Sequence, residues 1–184
     1  MLALGASDCE ALRVGWLAQP ANTVSSLAYV VAAAAVLWRG GPRVPAVALG
    51  IVGLGSVLYH GPMSPGAETV HDGSILAMLA VGAVTWKRGA LPRPPVAALA
   101  ALGAGVAVNL LTRTGAPLCR PDSLVQGHAA WHVLTAAAAA AWLGRRVAPP
   151  RPSTATATGP VPATERRRRA APATSDPAGR PAPP

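Results

Sequence analysis

The chain has 184 residues, of which 51% are hydrophobic and only 12% charged, with a formal net charge of +9 at pH 7. Because about a quarter of the residues in a typical soluble domain are charged, this composition argues against an ordinary soluble domain. Half of the basic residues are arginines that follow residue 144. The plain interpretation of that charge is a solvated tail, so we expect no nucleic-acid partner.

Five apolar stretches precede this tail, each bounded by glycine, proline or charge, at about residues 23–38, 44–59, 74–86, 96–111 and 124–143. Most are short for a hydrocarbon core of about 30 Å, and any one of them alone would suit a soluble core helix. Five in succession with almost no polar face would each need burial on all sides, which only lipid supplies in so small a chain. We therefore predict an all-α, polytopic transmembrane bundle of about five helices, with the lipid bilayer as its partner.

The loops between these stretches indicate an orientation. Counting five crossings places the N-terminus and the 60–72 and 112–124 loops on one face, and the 39–43 and 87–95 loops and the tail on the other. The second set of loops carries no acid, and its basic residues are Arg39, Arg43, Lys87, Arg88 and Arg93. The positive-inside rule places that face in the cytoplasm, and Trp38, Trp86 and Trp142 end helices there as interfacial anchors do.

Three regions follow from this topology. They are an extracytoplasmic N-terminal segment (1–22), a transmembrane helical domain (23–143) and a cytoplasmic tail (144–184). The tail is rich in proline, alanine and arginine and is predicted to be disordered. The N-terminus lacks the features of a cleaved signal peptide, and the preference for arginine over lysine is typical of a GC-rich bacterial genome, so we expect a bacterial plasma membrane protein.

The histidines form a pattern at the predicted outer face. His60 ends the second stretch, and His128 and His132 lie four residues apart at the start of the fifth. Ionisable groups at membrane depth are costly, so they indicate function. Three histidines on two helices suit a tetrahedral zinc ion with one open position. Haem held between histidines of two helices is an alternative, although it gives Ser56 and Asp72 no role.

Two further side chains at this face predict chemistry. Asp72 opens the third stretch and is the predicted carrier of a proton from a metal-activated water to a leaving group. Ser56 lies four residues before His60, on the same helical face, where it can bond an oxyanion or orient a ligand; bonding back to its own helix is the alternative. His71 is expected to be an exposed loop neighbour of Asp72. Spacing alone leaves Cys9 and Cys119 equally open as a disulfide or as two free thiols.

The order of these residues resembles that of a known family. Ser56 and His60, then Asp72, then the 127–132 run Gly-His-Ala-Ala-Trp-His are similar to the motifs of the alkaline ceramidases. These membrane hydrolases belong to the superfamily that includes the progestin and adipoQ receptors. The Cys9-Glu10 pair and the 19–25 stretch also resemble the family's N-terminal pattern.

The resemblance implies a function and a site. It implies a zinc ion held by His60, His128 and His132, with Asp72 and Ser56 assisting, and hydrolysis of the amide bond of ceramide or a related lipid amide. A non-catalytic, receptor-like or structural membrane protein that retains a structural metal is the alternative within the superfamily.

The resemblance also implies features outside the zinc site. It implies a Cys9–Cys119 disulfide and a calcium site to which Glu10, Asp8 and Asn22 contribute, although Gln19 stands where the family has glutamate. The family usually has seven helices, so this chain would be a reduced version that lacks two crossings and part of the pocket wall. A homo-oligomer that rebuilds the wall is left open.

Overall fold

The computed structural model describes residues 7–145, in which there are five α-helices and no β-strand. The helices are α1 (Pro20–Trp38), α2 (Arg43–His60), α3 (Ala67–Lys87), α4 (Val96–Thr112) and α5 (Gly127–Leu143). This confirms the prediction of an all-helical chain of five helices. The predicted disordered tail lies outside the described residues, apart from Gly144 and Arg145.

Two helix starts differ from the prediction. The third helix begins at Ala67 and not at residue 74, because its first turns are polar and hydropathy does not detect them. Gly66, in the left-handed conformation with φ 82°, turns the chain into this helix. The fifth helix begins at Gly127 and not at residue 124, since residues 121–126 form a loop that the Gln126 side chain stabilises. The Gln126 side-chain amide donates to the carbonyl oxygens of Arg120, Pro121 and Ser123, at 3.1, 3.2 and 2.6 Å.

The helices pack in the spatial order α3–α2–α1–α5–α4, with a small further contact between α2 and α5. Small residues bring the neighbours close together. At Gly53 an added Cβ would lie 2.8 Å from Val30 and 3.0 Å from Tyr29 on α1. Within residues 7–145 the two outer helices, α3 and α4, do not pack against each other. A gap lined by apolar side chains therefore separates them.

Two helices, Pro20–Trp38 and Arg43–His60, are long and apolar enough to cross a membrane, and Val96–Thr112 is apolar but shorter. Large apolar side chains also face outward along the bundle, among them Val31, Ile51, Leu76 and Leu110. At the end of the bundle away from the histidines, the rings of Trp86 and Trp142 lie 6.0 Å apart.

Candidate metal centre

Three histidines from two helices meet in the interior. His60 is the last residue of α2, while His128 and His132 lie one turn apart in the first turns of α5. One ligand atom from each of the three lies within 4.8 Å of the others. His60 and His132 are 0% and 2% exposed. The predicted convergence of these side chains is confirmed.

The Nδ1 atom of each ring is hydrogen-bonded to a side-chain oxygen of a neighbouring residue. Gln19 Oε1 lies 2.6 Å from His60 Nδ1, and Asn109 Oδ1 lies 3.0 Å from His128 Nδ1. An amide oxygen only accepts, so these two rings carry their proton on Nδ1 and leave the Nε2 lone pair free. The Ser25 hydroxyl lies 2.9 Å from the Nδ1 atom of the third ring, that of His132. Metal-binding histidines are typically oriented through their other ring nitrogen in this way.

One of the histidine ring nitrogens that could bind a metal has no hydrogen-bond partner within the described residues. His60 Nε2 is buried and makes no hydrogen bond within the described part of the chain. A buried polar atom without a partner is costly, so this nitrogen is suited to bind a ligand. Three imidazole nitrogens suit zinc and other borderline divalent metals. The three histidines can therefore hold a metal ion.

Ser56 lies at the centre, as its spacing from His60 predicts. Its hydroxyl is 2.8 Å from the Ser26 hydroxyl and 3.4 Å from His132 Nε2. Because Ser26 donates its proton to the Asn22 carbonyl at 2.7 Å, Ser56 donates to Ser26. The lone pairs of Ser56 remain available on the side of the histidines.

Asp72 and His71 are placed differently from the prediction. The side chain of Asp72 is 64% exposed, whereas that of His71 is only 16% exposed. His71 stacks on Tyr59 with ring centroids 4.7 Å apart, and its ring lies 6.0 Å from that of His60. Asp72 Oδ1 lies 2.9 Å from His71 Nδ1. The expectations that Asp72 opens the third helix and that His71 is an exposed loop residue were wrong, because α3 starts earlier.

Asp8 faces the centre, which the sequence reasoning missed because it placed this residue at a calcium site. Its side chain is 8% exposed, with Oδ1 3.6 Å from His128 Nδ1 and Oδ2 3.9 Å from His60 Nδ1. The next residue, Cys9, forms a disulfide with Cys119, as the resemblance implies. That disulfide joins the N-terminal segment to the loop before the helix of His128. The implied cysteine pairing was therefore the signal that could have located Asp8 near His128.

Among the residues assigned to calcium, Glu10 binds the start of α1. The Glu10 carboxylate accepts the backbone N–H groups of Ala21 at 2.8 Å and Asn22 at 2.9 Å. It therefore satisfies the free donors at the start of α1 and lies at the positive end of the helix dipole. Calcium binding by Glu10, Asp8 and Asn22 stays a prediction.

Two cavities of opposite character meet at the centre. An apolar cavity of about 500 Å³ occupies the gap between α3 and α4 and reaches Ser56 and the α5 histidines. A polar cavity of about 290 Å³ is lined by charged side chains that include Asp8, Glu68, Asp72 and Arg113. His71 and His128 line both cavities. An amphipathic molecule that occupied both would pass beside the histidines.

Comparisons of the chain with protein-family models, with characterised proteins and with solved structures give no match. The resemblance to the alkaline ceramidases stays a prediction that rests on the motif residues.

Proposed function

We propose that this chain is a zinc-dependent membrane hydrolase that cleaves the amide bond of ceramide or a related lipid amide. The observation that carries the proposal is that His128, one of the three clustered histidines, lines both an apolar and a polar cavity, and that His132 lines the apolar one. A lipid with its acyl chain in the first cavity and its polar group in the second would place its amide at the histidines.

The surface supports a polytopic membrane bundle. Apolar side chains that face outward on the helices, such as Val31 and Leu76, each 67% exposed, would be covered by lipid. The Cys9–Cys119 disulfide agrees with an oxidising, extracytoplasmic location for the histidine end of the bundle. The basic loops at the other end favour a cytoplasmic location for that end.

His60, His128 and His132 would hold the ion. A bound zinc would supply a Lewis acid that polarises a carbonyl and makes a water nucleophilic near neutral pH. Hydrolysis adds water to the amide carbon and breaks the carbon–nitrogen bond. The products are a fatty acid and an amine, whose nitrogen takes up a proton.

The chain's other groups would position the reactants. Ser56 presents hydroxyl lone pairs beside His132 that can accept a hydrogen bond from the N–H group of the amide and so orient it. His71 lines both cavities and directs Nδ1 to the Asp72 carboxylate, so its Nε2 atom would be the one to accept a proton and return it. The proton transfer predicted for Asp72 would then take place on His71, with the Asp72 carboxylate orienting that ring.

The gap between α3 and α4 offers a route for the substrate. Ile75 and Met78 on α3 face Leu99 and Leu102 on α4 across the apolar cavity. A lipid can enter such a gap sideways from the bilayer and keep its acyl chain out of water. The helices that the family has and this chain lacks would otherwise close this side.

A combined metal and activity measurement tests the proposal. We expect purified protein to contain about one zinc per chain and to release fatty acid from a panel of N-acyl lipids, as detected by mass spectrometry. His71→Ala and Asp72→Ala should lose turnover while they retain zinc, and Asp122→Asn in an exposed loop serves as the matched control. A zinc-loaded protein that is inert towards the whole panel contradicts the proposed reaction.

A receptor-like or structural protein is the second candidate, and one observation favours it. The groups that hold and orient the histidines come from four helices or their caps, so a bound ion would tie most of the bundle together. This candidate predicts that chelation lowers the thermal stability strongly and that no lipid is turned over.

A further inference from the structure

Asp8 is a second buried group at the metal centre with an unsatisfied atom. Its Oδ2 atom makes no hydrogen bond within residues 7–145, and the nearest ion-pairing groups in that range are His60 and His128. A buried carboxylate is costly unless a positive charge compensates it, and a neutral imidazole carries none. His60 Nε2, which also lacks a hydrogen-bond partner, belongs to the same cluster of three histidines. One divalent cation bound at His60 Nε2 would satisfy that atom and would compensate the charge of the Asp8 carboxylate on the Nδ1 side of the ring.

We infer that Asp8 is a positioning residue that compensates the charge of the bound metal and raises its affinity through His60 and His128. Their Nδ1 atoms already donate to Gln19 and Asn109 at 2.6 and 3.0 Å, so Asp8, at 3.9 and 3.6 Å, acts mainly by its charge. A negative charge behind two ligating rings makes those rings better donors to a cation. The inference rests on the metal site of the proposed function and not on its reaction.

The N-terminal segment brings Asp8 to this place and holds it there. The Cys9 N–H donates to the Thr114 hydroxyl at 3.1 Å, and the Ala11 N–H donates to the Pro121 carbonyl at 3.0 Å. The disulfide to Cys119 joins the same two regions covalently. Metal affinity should therefore depend on a disulfide that touches none of the ligands.

The test is the zinc affinity of Asp8→Asn, measured by competition with a chelator in the detergent-solubilised full chain. We expect binding about 10- to 100-fold weaker than in the wild type. Asp122→Asn, which removes an exposed acid at the same end, should bind as the wild type does. The visible absorption spectrum of the cobalt(II)-loaded variant should still be that of tetrahedral coordination, since all three histidines remain.

A merely structural role for Asp8 predicts a different result. In that case Asp8→Asn would lower the thermal stability of the metal-free protein and leave zinc affinity unchanged. Our inference predicts a metal-free variant at least as stable as the wild type, because removing an uncompensated buried charge relieves a cost. Asp8→Glu, which restores the charge, should recover part of the affinity.

A second variant covers the case in which Asp8→Asn does not fold. Cys9→Ser combined with Cys119→Ser frees the segment and should also weaken zinc binding at least about tenfold. Unchanged zinc affinity in both variants overturns the inference while leaving the metal site intact. Weakened zinc binding in a protein that hydrolyses no lipid supports the inference and counts against the proposed reaction.

Discussion

The three inner helices, α1, α2 and α5, and the two outer helices, α3 and α4, contribute different properties to the molecule. The inner helices pack against one another and carry the three histidines with Ser25, Ser26 and Ser56. Each outer helix packs against one inner helix and faces the other outer helix across a cavity. Among the polar contacts of the centre, the outer helices supply Asn109 and His71.

The difference indicates a division of work. A metal site needs fixed rings at defined distances, and closely packed helices provide them. A lipid chain of variable length needs a wall that can accommodate it, and widely spaced helices provide that. Changes in the inner helices should therefore alter metal binding, while changes in the outer helices should alter which substrate is accepted.

The largest effect is expected at an inner ligand. His132→Ala should reduce zinc from about one per chain to none detectable, because two imidazoles do not hold the ion against buffer. The matched change on an outer helix, His71→Ala, should leave the zinc content unchanged. Elemental analysis after gel filtration measures both. Full zinc content in His132→Ala would show that the ion binds elsewhere.

The next effect compares two residues that orient histidines. Gln19 is fully buried at the start of α1, and Gln19→Leu should weaken zinc binding about 10- to 100-fold. Asn109 on α4 is only half-buried, so water can replace its amide oxygen and Asn109→Leu should cost less. Chelator competition gives both affinities. Equal losses would mean that the outer helix is as important to the metal as the inner one.

Local pattern was enough to predict most of the fold and the histidine cluster. The apolar stretches locate α1, α2 and α4 to within a few residues, and an i, i+4 spacing places His128 and His132 on one face. Counting crossings then brings His60 to the same end. Each of these steps uses only local periodicity and the direction of the chain.

The remainder depends on contacts that are distant in sequence. The polar first turns of α3 carry no hydropathy signal, so the sequence placed His71 in a loop. Asp8 reaches the histidines because the chain folds back and is tied to Cys119, at a sequence separation of 110 residues. Similarly, the sequence did not predict that the Glu10 carboxylate accepts the backbone N–H groups at the start of α1.

A glycine on each kind of helix tests the packing itself. At Gly53 on α2 an added methyl group would meet Val30, Tyr29 and the Ser26 carbonyl at 2.8 to 3.1 Å. Gly53→Ala should therefore destabilise the protein by about 1–3 kcal/mol. At Gly82 on α3 an added methyl group would have no atom within 4 Å other than those of its own helix backbone and chain neighbours. Gly82→Ala should therefore be neutral or stabilising by up to about 1 kcal/mol. Thermal unfolding in detergent measures the difference, and a stable Gly53→Ala variant would contradict close packing of α1 and α2.

The smallest effect concerns the cavity wall. Met78 lines the apolar cavity, whereas Leu76, on the same helix, does not and is 67% exposed. Met78→Trp should lower kcat/KM for a long-chain lipid amide about tenfold and affect a short-chain one less, because the larger ring occupies space that only the long chain needs. Leu76→Trp should change neither, and both variants should keep their zinc.

Chain-length dependence is the informative part of this measurement. If Met78→Trp slows long and short substrates equally, its effect reaches the centre and the acyl chain does not occupy the gap. If Leu76→Trp causes the same loss, the change acts through α3 as a whole and not through the cavity. In either case the outer helices would not select the substrate, while the role of the inner helices in metal binding would stand, since it rests on separate contacts.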